Sequence, residues 1–387
     1  MISITGPKIY TEQHILPTGT ITIENGLISS ISDKKNQNAT FQFPSHYHLI
    51  PGFIDLHVHG ANGSDVMDGS FDALKNIAKT LASEGTTSFL ATTMTGAFDD
   101  IEKSLETIAH FQNDEGATIL GVHLEGPFVS PEKAGAQFSK YMLPPDISLL
   151  EKWQKISNNK IKMVTFAPEL VQSKEWIAYL LQQKIIPALG HSVATFTEAR
   201  DAIASGANYV THLFNAMRAL HQREPGLAGA ALLSDEVYTE IIVDGVHLHP
   251  AIVDLIFRVK NKEKIILITD AMRAKCMKDG TYDLGGQSVQ VTSGVATLPN
   301  GALAGSTLKM PTALKNMLQF TRTDFYGAVK MGTENPAKAL GIFHQKGSIA
   351  LHKDADLVVL DDNFQVVLTI REGKIISLVE SKVHAID

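Results

Sequence analysis

Eight short apolar segments recur along the middle of the chain, most of them followed by a stretch with helical spacing. They lie at 49–58, 87–93, 118–124, 161–166, 185–190, 208–213, 238–244 and 264–270. Continuously apolar strands are buried on both faces, as in parallel sheets covered by helices. The intervening helices carry their own signals. Phe71, Leu74, Ile77, Ala78 and Leu81 share one face, and the pattern stops at Gly85. Thr195 with Glu198 forms a capping box ahead of Ala199, Ala202 and Ile203. Pro250 suits the first position of a helix bearing Ile252, Leu255 and Ile256. Such alternation fits a closed barrel or an open doubly wound sheet. The open sheet carries a glycine-rich phosphate loop after its first strand, and none follows here. The prediction is therefore an α/β fold, a (β/α)8 TIM-like barrel over residues 51–345.

The two ends have a different texture. Gly19 to Glu24 alternates apolar and polar residues, breaks at Asn25-Gly26, and returns through Leu27 to Ile31; this is a hairpin signal. Near the finish, 355–360, 366–370 and 374–378 read as strands separated by Asp361-Asp362-Asn363 and Glu372-Gly373. Neither end holds enough apolar residues for a core of its own. Residues 1–50 and 346–387 are expected to pair into one small β domain.

A length of 387 residues accommodates a barrel and such an accessory domain. Apolar residues at 44% and charged residues at 19% exclude collagen, coiled coil and a disordered chain. Thirty-four basic against 41 acidic side chains give a net charge of −7. No polybasic footprint points to nucleic acid or a membrane surface as partner. One cysteine, Cys276, rules out a disulfide scaffold. The opening MISITGPKIY lacks a basic n-region and an apolar h-region, so a soluble cytoplasmic protein is expected.

The 15 histidines then decide the chemistry. His57 and His59 are two apart on the first strand, so both imidazoles leave the same face. Glu125, His191, His212 and Asp270 end the third, fifth, sixth and eighth strands. Any one of them could be a solvated strand terminus. Six His, Glu or Asp residues at the ends of five strands are hard to obtain by accident, because barrel strand ends converge on one face. Imidazole with carboxylate suits a divalent metal.

Several segments add a resemblance. HVHG at 57–60, HLEGPF at 123–128, GHS at 190–192, THLFNAM at 211–217 and REPGLAG at 223–229 are similar to the N-acetylglucosamine-6-phosphate deacetylase family of the amidohydrolase superfamily. So are DGVH at 244–247, TDAM at 269–272 and LAGS at 303–306. The likeness covers essentially the whole chain, and HLEGPF with THLFNAM and REPG is its specific part. It implies a distorted (β/α)8 barrel with a small β-sandwich made from both termini. It also implies metal ligation by Glu125, His191 and His212, with His57 and His59 as ligands of a second ion bridged by Glu125. The implied cofactor is a divalent metal, zinc or iron, one or two per subunit. By the same resemblance the partner is a small-molecule substrate, a phosphorylated N-acetyl amino sugar. Arg223 and His247 would meet its phosphate and sugar, and Ala136, Gln137, Asn215, Ala216, Leu303, Ala304 and Gly305 would surround it. Gln137 stands where some members carry histidine. A homodimer is implied, with Arg223 reaching a neighbour's phosphate site.

The resulting expectation is hydrolysis of N-acetylglucosamine 6-phosphate to glucosamine 6-phosphate and acetate, with Asp270 as the catalytic proton acceptor and donor. Alternatives are the galactosamine epimer, a cyclic amide on the same barrel, or a silent metal-binding protein. Asp270 beside a full ligand set argues against the last. His123 points the same way along its strand as Glu125, where support behind the ligands is open to it, but its expected role is packing. The other histidines, at 14, 46, 48, 110, 221, 249, 344, 352 and 384, are expected at the surface or in packing. Cys276 lies in a polar loop without a catalytic partner. Residues 273–300 are long for a connection and are expected to form a flap over the site.

Overall fold

The computed structural model describes residues 1–170 and 175–382. Eight parallel strands lie side by side in chain order. They are β1 (Phe53–Val58), β2 (Thr86–Thr93), β3 (Thr118–Glu125), β4 (Ile161–Phe166), β5 (Ile186–Leu189), β6 (Tyr209–Val210), β7 (Tyr238–Ile242) and β8 (Ile265–Ile268). The expected (β/α)8 barrel is thus the observed fold. Helices such as Phe71–Ser83 and Pro250–Val259 cover its outer surface, burying Leu74, Ile77, Leu81, Val253 and Ile256. The predicted capping box is present, with Thr195 and Glu198 satisfying each other's main-chain donors.

The ring closes between β1 and β8 just beyond their ends rather than along a full ladder. The Asp270 N–H donates to the His57 carbonyl at 2.8 Å, and the His59 N–H to that of Ala271 at 2.9 Å. Beneath these bonds the fully buried Asp55 carboxylate accepts from the Thr269 hydroxyl and from the main-chain N–H groups of Thr269 and His57. One side chain therefore ties together the two strands that carry His57 and Asp270. Asp55→Ala leaves these donors without a partner and is expected to lower stability by about 1–3 kcal/mol. The denaturant midpoint measures it; an unchanged midpoint would show that the seam closes without Asp55.

The run at 49–58 is two strands, not one. His48–Pro51 pairs antiparallel with Leu357–Leu360 in the accessory sheet, and only Phe53–Val58 enters the barrel. Gly52 makes the crossing, where a Cβ would fall 2.2 Å from the Thr87 hydroxyl. Both termini build the sandwich. One sheet orders Leu27–Ser32, Thr20–Glu24, Ile2–Thr5 and Phe41–Gln42; the other holds six strands, three from each end of the chain. Ile4, Ile9, Ile21, Leu49, Leu357 and Ile370 fill the space between. Asn25 and Gly26, at φ 51° and 82°, supply the two left-handed residues of the tight hairpin.

Residues 273–300 carry structure not assigned from the sequence: a three-stranded antiparallel sheet, Gly280–Leu284, Gln287–Thr292 and Val295–Thr297. Its apolar side, with Leu284, Val289 and Val291, packs on Met94, Met272 and Ala304 at the barrel mouth. Of the remaining histidines, His48 packs between Tyr10 and Phe325, while His14, His46, His110, His221, His249, His344 and His352 are exposed. His384 lies outside the described residues. Among the described residues no helix is long and apolar enough to cross a membrane.

Candidate metal centre

The strand ends bring six side chains together. His57 is on β1 with His59 just beyond it, Glu125 is the last residue of β3, and His191, His212 and Asp270 each follow their strand by two positions. The last three have positive φ, 46°, 27° and 47°. Left-handed backbone costs a residue with a Cβ roughly 1–2 kcal/mol, and such strain concentrates at functional sites. Here it accompanies the turn of each side chain over the mouth.

Glu125 Oε1 lies 3.1 Å from His191 Nε2 and 3.0 Å from His212 Nε2, and those two nitrogens are 3.1 Å apart. Beside this group, His57 Nε2 and His59 Nε2 are 3.3 Å apart, and Asp270 Oδ1 lies 3.5 and 3.2 Å from them. Glu125 also reaches the second group, at 3.4 Å from His57 and 3.3 Å from His59. All six residues are buried.

Whether these donors suit a cation is decided by their outer atoms. His191 Nδ1 donates to the Lys133 carbonyl at 2.8 Å, and His59 Nδ1 to that of Thr92 at 3.2 Å. His57 Nδ1 donates to the Glu240 carboxylate at 3.0 Å. A neutral ring protonated at Nδ1 has a lone pair at Nε2. Lone pairs on Nε2 atoms some 3 Å apart repel unless something positive lies between them. A tetrahedral ion with bonds of ~2.0–2.1 Å spaces its ligand atoms roughly 3.3 Å apart, close to the separations here. The donor set fits a divalent cation.

Electrostatics point the same way. Burial pushes the Glu125 carboxyl up, but His57 and the bonds from His191 and His212 outweigh it and hold Glu125 well below the carboxylate range. Burial likewise opposes ionisation of Asp270, yet His57 and His59 bring it down to about 2. The same carboxylates raise His59 to about 9, against its burial. Protons and a metal ion thus compete for the same Nε2 atoms, so affinity should weaken as pH falls.

A cleft of about 300 Å³ opens above this cluster. His59, Glu125, His191, His212 and Asp270 line it, together with Ala136, Gln137, Asn215, Ala216, His247, Leu303 and Gly305. His57 lies fully buried and outside that lining, and Ala304 is buried in the flap's apolar cluster. Arg223 is exposed on the turn between His221 and Glu224 and does not line the chain's own cleft. Gln137 is held at both ends of its amide, donating to Glu125 Oε2 at 2.6 Å and accepting the Thr95 N–H at 2.7 Å. Glu125's second oxygen therefore already has a partner in Gln137. His247 donates Nδ1–H to Asp244 at 2.7 Å, which leaves Nε2 for a ligand. Burial opposes its protonation, and Asp244 outweighs this and raises it.

Several residues around the site went unrecognised in the sequence. Met94, Gly135, Phe214, Leu284 and Ala302 also line the cleft, and Glu240 stands behind His57 and His212. Glu240's signal was available: a lone acid within the apolar strand Tyr238–Ile242. His123 donates to or accepts from Thr165 at 2.7 Å and contacts the Leu56 carbonyl, deep in the barrel next to His57. Burial and the charge on His57 press it down to about 3, so it is neutral.

Known proteins share this design. The Amidohydrolase family model matches residues 48–376. The N-acetylglucosamine-6-phosphate deacetylase of Bacillus subtilis (strain 168) is 44% identical over 375 residues, 95% of each chain. The N-acetylgalactosamine-6-phosphate deacetylase of Escherichia coli O157:H7 is 39% identical over 331 residues, 85% of this chain and 88% of that one. A mutant N-acetyl-D-glucosamine-6-phosphate deacetylase from Mycobacterium smegmatis, solved with N-acetyl-D-glucosamine-6-phosphate, superposes with a TM-score of 0.91 at 31% identity, covering 97% of this chain and 99% of that one. With its barrel, its strand-end histidines and these likenesses together, the chain belongs to the amidohydrolase family, on its N-acetylglucosamine-6-phosphate deacetylase branch.

Proposed function

We propose that this chain hydrolyses the acetamide of N-acetylglucosamine 6-phosphate, releasing acetate and glucosamine 6-phosphate. The observation that carries the reading is the joining of Glu125, His191 and His212 within 3.1 Å of one another at the foot of a cleft that also exposes Asp270. A divalent ion, when bound, supplies Lewis-acid polarisation and makes water more acidic. Glu125, His191 and His212 would hold it, with His57 and His59 available for a second. Mixed imidazole and carboxylate donors suit zinc or iron, and one or two ions per subunit are compatible with the two groups.

The chain's own residues do the rest. Asp270, ionised at neutral pH, accepts the proton of the attacking water and returns it to the departing amine. His247, fixed through Asp244, offers Nε2 to the sugar. Main-chain groups around Ala136, Asn215, Ala216, Leu303, Ala304 and Gly305 meet the acetamide and hexose, and the small Ala136, Ala216 and Gly305 permit the close approach. Gln137 anchors Glu125 through its amide.

Arg223 is the phosphate ligand in this reading, and its exposure outside its own cleft supports a homodimer in which it serves the neighbouring subunit. A cytoplasmic location suits this reading, since a charged sugar phosphate does not cross a membrane unaided and must share a compartment with the enzyme. Arg223→Ala is expected to lower kcat/KM for the phosphorylated sugar by about ten- to a hundredfold, the worth of one charge-assisted hydrogen bond. Unphosphorylated N-acetylglucosamine should lose little. Equal losses on both would remove Arg223 from the phosphate site.

The similarity to the Escherichia coli enzyme favours one second reading, deacetylation of the galactosamine epimer. Acetate release from both 6-phospho epimers, with unphosphorylated controls, separates the two. Faster turnover of the gluco epimer is expected; the reverse order would select the second reading, and no acetate from any of them with metal loaded would end both.

A further inference from the structure

We infer that Glu240 is a positioning residue for the metal centre, setting two of its imidazoles at once. This rests on the metal-centre reading above. Glu240 is on β7, and its side chain is fully buried in the barrel interior, where a carboxylate is costly unless its lone pairs are satisfied. Three donors satisfy it. Oε2 accepts the His57 Nδ1–H at 3.0 Å and the His212 main-chain N–H at 3.0 Å, and Oε1 accepts the Tyr209 hydroxyl at 3.0 Å.

The two bonds at Oε2 act on different parts of the site. The first keeps the proton of His57 on Nδ1, so that Nε2 presents its lone pair toward His59, Asp270 and Glu125. The second holds the main chain of His212 at φ 27°, a conformation that needs support and that accompanies the contact of its Nε2 with Glu125. His212 Nδ1 has no partner among the described residues, so this main-chain bond is what ties His212 to Glu240. A single oxygen therefore couples a ligand of one group to a ligand of the other. Residues that support metal-bound histidines are commonly worth a large part of the affinity.

Glu240→Gln separates positioning from filling space, because it keeps the volume while a neutral amide replaces the charge-assisted acceptor of His57 and His212 with one about half as strong. Zinc affinity, measured on the whole chain by competition with a chromogenic chelator, is expected to fall roughly 10- to 100-fold. The melting temperature of the metal-free chain should stay near that of the wild type. Tyr209→Phe, which removes only the partner at Oε1, should change zinc affinity by less than about threefold against that loss. A folded Glu240→Gln chain with wild-type zinc affinity overturns the inference, as does an equal loss in Tyr209→Phe. If Glu240→Gln does not fold, the zinc-loaded wild type decides by NMR of ¹⁵N-labelled histidine. A slowly exchanging Nδ1 proton on His57 is expected, and a proton on Nε2 overturns the inference. Failure of the wild type to bind zinc would instead sink the metal-centre reading itself.

Discussion

Asp270→Asn is expected to cut turnover of N-acetylglucosamine 6-phosphate by at least ~10²–10⁴-fold, the usual worth of a positioned acid–base group. Metal content and melting temperature should stay at wild-type values. Asn matches Asp in shape but cannot take a proton. The Asp270 main-chain N–H to the His57 carbonyl, which helps close the barrel, is untouched by the substitution. Positive charge beside the carboxyl, which brings it down to about 2 against the effect of burial, keeps the base form populated at neutral pH, whether protons on His57 and His59 or a bound cation supply it. Were Asp270 only a weak ligand or a cap, the variant would lose metal or stability while activity per bound ion stayed nearly intact. Measuring kcat, metal content and melting temperature on one preparation distinguishes the two.

Glu125→Ala should have the other large effect, and a different one. Glu125 alone touches all four imidazoles, at 3.4, 3.3, 3.1 and 3.0 Å from His57, His59, His191 and His212. Without it the cluster keeps Asp270, and Glu240 behind His57, against four rings that resist being charged together. Metal affinity is expected to fall by more than the roughly 10- to 100-fold seen when a merely supporting group is lost, and turnover should fall with occupancy. Equilibrium dialysis against zinc checks this. A Glu125→Ala chain that keeps its metal but loses turnover would move Glu125 from ligand to catalyst.

Much of this architecture was legible because burial on both faces leaves so clear a trace. Runs such as Ile265–Ile268 admit few polar residues, and Asp270 is conspicuous two positions beyond. The hairpin at Asn25-Gly26 was equally plain, since few other pairs tolerate two left-handed residues in succession. The break within 49–58 was hidden for the opposite reason. His48–Pro51 and Phe53–Val58 are both buried, one in the sandwich and one in the barrel, so hydropathy does not change where the chain changes sheets. The flap's strands were obscured by polar residues such as the half-exposed Gln287 and the exposed Ser288 and Gln290, which carry a sheet with only one buried face.

The site divides along a similar line. Residues at strand ends are marked by polarity where apolar character stops. Asp55 and Glu240 lie inside strands instead, and alternation cannot say whether a single acid faces water, a helix or the barrel axis. Their partners, Thr269 and His57, are 214 and 183 residues away in the chain, a pairing that only the closed ring creates. Arg223 shows the reverse case. Its motif is plain in the sequence, yet one chain alone does not bring it to the cleft.

Metal dependence is the claim on which the rest stands, and one titration tests it most directly. The chain is stripped with a chelator, reloaded stepwise with zinc or ferrous iron, and assayed for acetate release from N-acetylglucosamine 6-phosphate at each step, with bound metal measured per subunit. Turnover should be absent at the start and rise with occupancy until the Glu125, His191 and His212 site is full. Undiminished turnover in the stripped chain would contradict the account.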